Sequence, residues 1–337
     1  SRTYGDPNPT LTGTLTGFVL GEDVSVLASA PAYSTTAGLT TGVGTRPITP
    51  AGGSAANYSF TYVPGTLTIN PALLTVRADN KTRIYGDASP TLTTTVEGLK
   101  NGDSASGKFF VSAFGTLGSA TAPVGNYTIL LQGQDFPGDN YTTFFANGTE
   151  TITPRPLTIR TDNSTREYGL ANPAFTATFT GLAPHDTAAV IPGLDFATLA
   201  TVNSGVSVFG VTPTSGNNAN YAITYLPGQM NITPAPLTVA AGSHFRDYGD
   251  ANPTFTPSIA AGELRAGDTI AGVNLRLETA ATASSPVGTY DLTAAIASPN
   301  YLLNNPVAGS LQILPALLDV TIGDVNRFYG DANPMNV

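Results

Sequence analysis

Two pairs of side chains are the first to suggest chemistry. Asp79 with Asn80, and Asp162 with Asn163, each stand a few residues before a repeated tyrosine. Carboxylate and amide oxygens gathered in a turn are what a hard cation such as calcium takes. The matching positions one unit further on are Gly242 and Ser243, and no stretch has the form of an EF-hand loop, so turn formation accounts for the pairs without a metal. No cofactor is expected, and calcium is the one cation these residues would admit. His185 and His244 are the two histidines; they occupy non-equivalent positions, with no cysteine to complete a metal cluster. The pairs Asp135 with Asp139 and Asp247 with Asp250 are of the right type for acid–base work, but nothing groups them into a cleft. There is no phosphate loop, dinucleotide fingerprint or nucleophile elbow. No catalytic residue is assigned, and an enzyme is not expected. Lys81, Lys100 and Lys108 all fall in one unit, which excludes Lys–Asn isopeptide stapling as a general device. Asn57, Asn80, Asn126, Asn140, Asn147, Asn163 and Asn231 stand in N-x-S/T; abundant threonine and a repeated Asn-Tyr pair account for most of them.

What recurs with a fixed spacing is structural. A Tyr-Gly motif stands at Tyr4-Gly5, Tyr85-Gly86, Tyr168-Gly169, Tyr248-Gly249 and Tyr329-Gly330, in TYGDPNP, IYGDASP, EYGLANP, DYGDANP and FYGDANP. The spacing between successive tyrosines is about 81 residues, a period to be settled before any fold is assigned. Pro71, Pro154, Pro234 and Pro315 each precede a motif tyrosine by 14 residues, and the Asn-Tyr pairs ending at Tyr58, Tyr141, Tyr221 and Tyr301 precede those prolines by 13 or 14. The sequence therefore divides into a partial module, 1–70, lacking its first strand; three modules, 71–153, 154–233 and 234–314; and the start of a further one, 315–337. It reads as a length cut from something longer. About 80 residues suffice for one small core and are too many for a solenoid rung.

Within a module the pattern is strand after strand. Leu74, Leu157, Leu237 and Leu318 follow the prolines, and Val76, Ile159, Val239 and Val320 come two residues later with a polar residue between, the alternation of a half-buried strand. Proline cannot donate to a ladder, so one strand ends and another begins there. Gly, Asp, Asn and Pro make the Tyr-Gly motif a turn, whose tyrosine is expected to pack on the core edge with its hydroxyl on backbone or water. The acid-bearing loops 18 to 20 residues later, around Glu22 and Asp23, Asp103, Asp186 and Asp268, are each expected to hold at most one helical turn.

Composition fits an extracellular β-rich chain: no Cys, no Trp, and 36 Gly with 26 Pro in 337 residues. Each module must be held by its core alone, without disulfides. With 14 basic and 23 acidic residues, net −9, and no basic stripe, nucleic acid and anionic lipid are poor partners. No apolar run is long enough for membrane insertion as a helix.

The Tyr-Gly motif with Asn-Pro, the spacing, and the L-T-V/I strand after a linker proline resemble the YGX type of the MBG repeat domain of large bacterial surface and two-partner-secreted adhesins. The resemblance covers the whole chain. It implies mostly β modules, β-grasp-like or alternatively an Ig-like sandwich, joined end to end as a rod, and no catalytic residue. Leu170 stands where the motif usually has an acid, and Ser89 where it has Asn. The expected function is a stalk or spacer at the bacterial cell surface or outside the cell, whose partners are neighbouring modules of the same longer chain; the alternative is that the repeats bind glycan or matrix, or self-associate in biofilm or filament. Modules are expected to unfold independently, so that Val239→Asp disrupts chiefly 234–314. Residues 315–326 carry an opening strand and residues 1–70 lack one, so Leu318, Val320 and Ile322 are expected to be ordered only on meeting another module, beside Leu67 and Ile69.

Overall fold

The computed structural model describes residues 1–136, 139–304 and 306–332, so the end of the last motif, residues 333–337, lies outside the described residues. By contact density the chain divides into two compact units. One comprises Ser1–Leu157 with Thr180–Pro192 and Asn217–Thr224, the other Thr158–Phe179, Gly193–Gly216 and Tyr225–Val337.

In the second module the strand Ala72–Ala78 lies between Tyr141–Ala146, parallel to it, and Thr94–Glu97, antiparallel. A second sheet runs in the order Lys81–Ile84, Gly148–Thr153, Gly125–Asp135, Phe109–Thr116. Two strands change sheets at asparagine corners. Asn80 Oδ1 accepts from Thr149 N at 2.8 Å, and Asn147 Oδ1 accepts from Leu131 N at 2.9 Å. Leu74 and Val76 point inward and are fully buried, as are Ile129 and Ile152 opposite them; burying each such side chain contributes about 2 kcal/mol. The same two orders recur in the fourth module, as Ser258–Ala261, Ala235–Ala240, Tyr301–Leu303 and as Ser243–Asp247, Gly309–Leu314, Gly288–Ala295, Arg276–Glu278. In the third they are Ala177–Thr180, Arg155–Thr161, Tyr221–Leu226 and Ser164–Glu167, Gly228–Thr233, Val208–Pro213, Phe196–Thr198.

Of the two layouts expected, the two-sheet sandwich is the one found. The β-grasp layout needs a helix packed on its sheet, and among the described residues the only helical segments are 3-10 turns at Val24–Val26 and Ala188–Val190. Two of the four acid-bearing loops thus hold a helical turn, the first capped by Asp23, which accepts from Ser25 N.

The first module has one sheet: Arg2–Thr3, Gly65–Asn70, Gly44–Ala51, Ala32–Ser34. Both sides of Leu67 and Ile69 are therefore taken, by Arg2–Thr3 and Gly44–Ala51. The expectation that a further strand fits beside them is corrected, because both edges of Gly65–Asn70 are already paired. Residues 315–332 form no strand, and Leu318, Val320 and Ile322 are exposed.

Nor are the cores isolated. One buried cluster in the first unit joins Tyr4, Leu67 and Ile69 to Ala72, Leu74 and Tyr141; one in the second joins Tyr168, Met230 and Ile232 to Leu237, Val239 and Tyr301. With a single residue between strands at Pro71 and Pro234, the apolar faces run on from one module to the next. A charge at Val239 is therefore expected to unsettle the third module as well as the fourth, against the independence read from the spacing.

Candidate functional site

The Tyr-Gly motifs do not stop at their own module's core edge. Tyr4 is 4 % exposed, its ring edge-on to Tyr141 of the following module with centroids 5.6 Å apart. Both hydroxyls donate to the same carboxylate oxygen, Asp103 Oδ2, at 3.1 and 2.8 Å. The corresponding joint in the second unit has Tyr168 edge-on to Tyr301 at 5.6 Å, with Asp268 Oδ2 accepting from them at 3.1 and 2.9 Å. At the joint between them Tyr85 packs against Tyr221 at 5.6 Å, Tyr221 donates to Asp186, and Tyr85 Oη lies 3.1 Å from His185 Nε2. Edge-to-face aromatic pairs add about 1 kcal/mol beyond their burial, and a hydrogen bond to a charged group about 2 kcal/mol. The inner tyrosines are anchored from behind: Tyr141, Tyr221 and Tyr301 accept from the backbone N–H of Lys100, Ala183 and Arg265 at 2.9, 3.0 and 2.8 Å. Burial pushes all three hydroxyls up to about 12, with the neighbouring aspartate adding to the rise. Burial likewise raises Tyr85 and Tyr168.

The motif glycines complete each joint. Gly5, Gly86 and Gly169 have φ of +81°, +81° and +75°, and a Cβ on them would lie 2.5, 2.5 and 2.3 Å from the Cβ of Lys100, Ala183 and Arg265. Only a residue without a side chain fits the conformation and the contact together. An ion pair closes each joint: Lys100–Asp6 at 3.0 Å, Arg155–Asp87 at 2.7 Å and Arg265–Glu167 at 2.7 Å. Glu167 serves at the joint whose motif carries Leu170. The turn survives that leucine because its hydrogen bond is made by backbone, Leu170 N to Glu167 O, as Asp6 N bonds Thr3 O. The Asn-Tyr pairs of the second to fourth modules add a third tie: the Oδ1 of Asn140, Asn220 and Asn300 accepts from Val43, Val124 and Val206 N at 3.0, 2.9 and 3.0 Å.

The sequence reading missed an arginine two residues before every motif tyrosine. Arg2, Arg83, Arg166 and Arg246 are buried, and each binds a carbonyl of its own turn and one of a distant loop, as Arg166 does Glu167 O and Thr201 O at 3.0 and 2.6 Å. The signal was present, since all five motifs read R-x-Y-G. In the third and fourth modules the guanidinium Nε donates to the motif asparagine, Asn172 or Asn252, at 2.9 and 2.8 Å. With Ser89 in that place, Arg83 turns to Glu150 at 2.9 Å, a fully buried carboxylate that also accepts from Thr116. The equivalents of Glu150 are Leu67, Met230 and Leu311, so an acid replaces a core residue where the motif asparagine is missing.

Among the described residues, two motifs have no neighbour on them. Tyr248 is 49 % exposed and Tyr329 fully so, and a Cβ on Gly249 or Gly330 would touch nothing. The expectation that the hydroxyl reaches backbone or water is thus corrected for Tyr4, Tyr85 and Tyr168, which find polar side chains of the next module.

The calcium candidates lie elsewhere, at the sheet-changing corners. Asp79 accepts from the hydroxyls of Thr93 and Thr95, and Asp162 from Thr176 and Thr178; these bonds hold both carboxyls below their usual range. Asn80 and Asn163 cap the backbone N–H groups of Thr149 and Gln229. Their oxygens are occupied within the fold, and among the described residues no group of three or more carboxylate or histidine side chains converges as a metal site. His244 stacks edge-on against Phe255. Asp135 caps Thr143 N, and Asp139 pairs with Lys108.

A family model described as MBG domain (YGX type) matches residues 1–68, 74–151, 157–231 and 237–312. Among curated proteins none matches. Solved structures that align with the chain include Drosophila N-cadherin EC1-4, at 7 % identity over 81 % of this chain and 83 % of that one with a TM-score of 0.23. Domains 4–9 of the surface layer protein SbsC align at 13 % identity over 80 % of this chain and 54 % of that one, TM-score 0.19.

Proposed function

Since the chain belongs to the MBG domain family of the YGX type, a family of repeats, we propose that it is a spacer in a surface-associated or secreted bacterial adhesin: a rod of modules that projects a binding region. The observation that carries this reading is the joint itself. Tyrosine, glycine and an ion pair recur at Tyr4, Tyr85 and Tyr168, each fixing one module to the next through a shared apolar cluster or a tyrosine hydrogen bond. Such interfaces restrict hinge motion between modules, which is what a spacer needs to keep its reach. No residue set is given a catalytic role, and no helix among the described residues is long and apolar enough to cross a membrane.

Small-angle scattering tests the proposal. Modules with strands of about six to eight residues are roughly 20–27 Å along the strand, so an end-to-end rod is several times longer than wide. Tyr85→Ala with Tyr168→Ala should leave the modules folded and broaden the distance distribution. A compact globule of this mass, or a distribution unchanged in the double variant, would overturn it.

A further inference from the structure

One edge strand of the second module differs from its counterparts. The four-stranded sheet there ends on Phe109–Thr116, eight residues long, with no strand on its outer side. The same edge is closed by Ala32–Ser34 in the first module, Phe196–Thr198 in the third and Arg276–Glu278 in the fourth, three residues each. A short edge, and charges such as those of Arg276 and Glu278, are the ordinary protection against another strand joining the sheet. Phe109–Thr116 reads Phe-Phe-Val-Ser-Ala-Phe-Gly-Thr, without charge or proline, and Phe110 and Phe114 are exposed. The module's other long uncharged edge, Tyr141–Ala146, is blocked at its middle, where Thr143 N donates to Asp135 Oδ1 at 2.8 Å.

A bulge sets the pattern of the strand. Phe109 pairs with Asp135 and Val111 with Gly133, then Ala113 with Gln132, so Ser112 is the extra residue. Before the bulge, Phe109 and Val111 pack on the core. After it, Phe114 and Thr116 stand opposite the buried Leu131 and Ile129, and Thr116 Oγ1 donates to the buried Glu150 at 2.6 Å. Cross-strand partners share a face, so the core-side positions are 109, 111, 114 and 116, symmetric about the peptide bond between Ser112 and Ala113. The backbone of an antiparallel strand alternates in the same way. Leu117 N bonds inward, to Thr128 O at 3.0 Å, which turns the N–H and C=O of Thr116 and Phe114 outward.

That symmetry matches a second copy of the same strand. We propose that two copies of this chain pair through Phe109–Thr116, antiparallel about a two-fold axis between Ser112 and Ala113, so that their four-stranded sheets become continuous. Phe109 would stand opposite Thr116 of the second copy and Val111 opposite its Phe114, core side beside core side. A shift of one residue would instead set core-side against solvent-side positions. The Val111–Phe114 pairs put a β-branched residue against an aromatic one, a favourable cross-strand match, and cover the exposed Phe114 ring. The strand brings no ionised side chain to the contact, whereas pairing with Arg276–Glu278 would bring two. Such a contact is isologous and closes at two copies. It goes beyond the spacer reading and uses none of the joint residues, so either can fail while the other stands.

Sedimentation velocity over a range of concentrations, with amide exchange on the same samples, is the test. The chain should pass from monomer to dimer as concentration rises, with protection gained at the amides of Phe114 and Thr116. Ser112→Lys alters an exposed side chain, sets two like charges beside the axis, and should weaken dimerisation at least about tenfold. The register has its own check, since the chain has no cysteine. Phe110→Cys with Gly115→Cys should form disulfides between copies on mild oxidation, because these positions face each other across the axis. Phe110→Cys alone should not, since its two thiols would lie about 17 Å apart along the strands. The proposal is overturned if the chain stays monomeric throughout, if Ser112→Lys dimerises like the parent, if protection is gained elsewhere and not at Phe114 and Thr116, or if Phe110→Cys alone cross-links as well as the pair.

Discussion

Tyr168 and Tyr248 occupy the same place in consecutive modules, each two residues after a buried arginine and each followed by a glycine at positive φ. Yet Tyr168 is 5 % exposed and Tyr248 is 49 % exposed. The turn is the same in both, with Leu170 N bonding Glu167 O and Asp250 N bonding Asp247 O at 3.3 Å. What differs is the presence of Asp268, Tyr301 and Arg265 against the first. The arginine staple and the backbone turn thus belong to the module itself, whereas the tyrosine and glycine belong to the joint. The motif is half of an interface, built whether or not the other half is present.

The comparison is broken most severely by removing the ring. Tyr168→Ala should cost about 3 kcal/mol at its joint, seen as lost amide protection around Arg265, Asp268 and Tyr301, while Tyr248→Ala should change stability by less than about 0.5 kcal/mol. The glycines give the next largest contrast. Gly169→Val and Gly249→Val both place a branched residue at positive φ, a shared cost of about 1–2 kcal/mol. Gly169→Val must also displace Arg265, whose Cβ lies 2.3 Å from the site, so its melting temperature should fall further by several degrees.

Titration sharpens the contrast more gently. A tyrosine ordinarily loses its proton near 10, and burial holds Tyr141, Tyr221 and Tyr301 at about 12. Below pH 10 both states keep the proton and the joints have full strength. Between pH 10 and about 12 the unfolded chain releases protons that the folded one retains, so stability falls as pH rises. Ultraviolet difference spectra should show Tyr141, Tyr221 and Tyr301 ionising late, together with loosening of the joints. The smallest effect is expected from chelation: with Asp79 and Asp162 bonded to threonine hydroxyls, removing calcium should move the melting temperature by less than about 1 °C.

Much of this was legible in the sequence. Alternation after Pro71, Pro154 and Pro234 gave the central strands, because a sheet with one buried face imposes a period of two on its side chains, and the fixed spacing gave the modules. The joints were not legible as joints. A tyrosine at a constant offset from a turn reads as a core-edge residue, and its partner aspartate lies about 100 residues away in sequence, as Asp103 does from Tyr4 and Asp268 from Tyr168. No local pattern encodes such a pairing. The substitution of Glu150 for a core residue was hidden for the same reason: where Ser89 stands in place of the motif asparagine, Arg83 reaches Glu150 only in the folded module. The β-grasp expectation, with the Ig-like sandwich as its alternative, came from the resemblance and not from the residues, whose Gly- and Pro-rich loops hold, among the described residues, no more than a 3-10 turn.

A double-mutant cycle between Tyr168→Phe and Asp268→Asn, read by amide exchange at the joint, tests most directly whether the motif binds the next module. The account predicts a coupling of about 1 kcal/mol or more, against none when Tyr248→Phe replaces Tyr168→Phe. Additive effects of Tyr168→Phe and Asp268→Asn would contradict it.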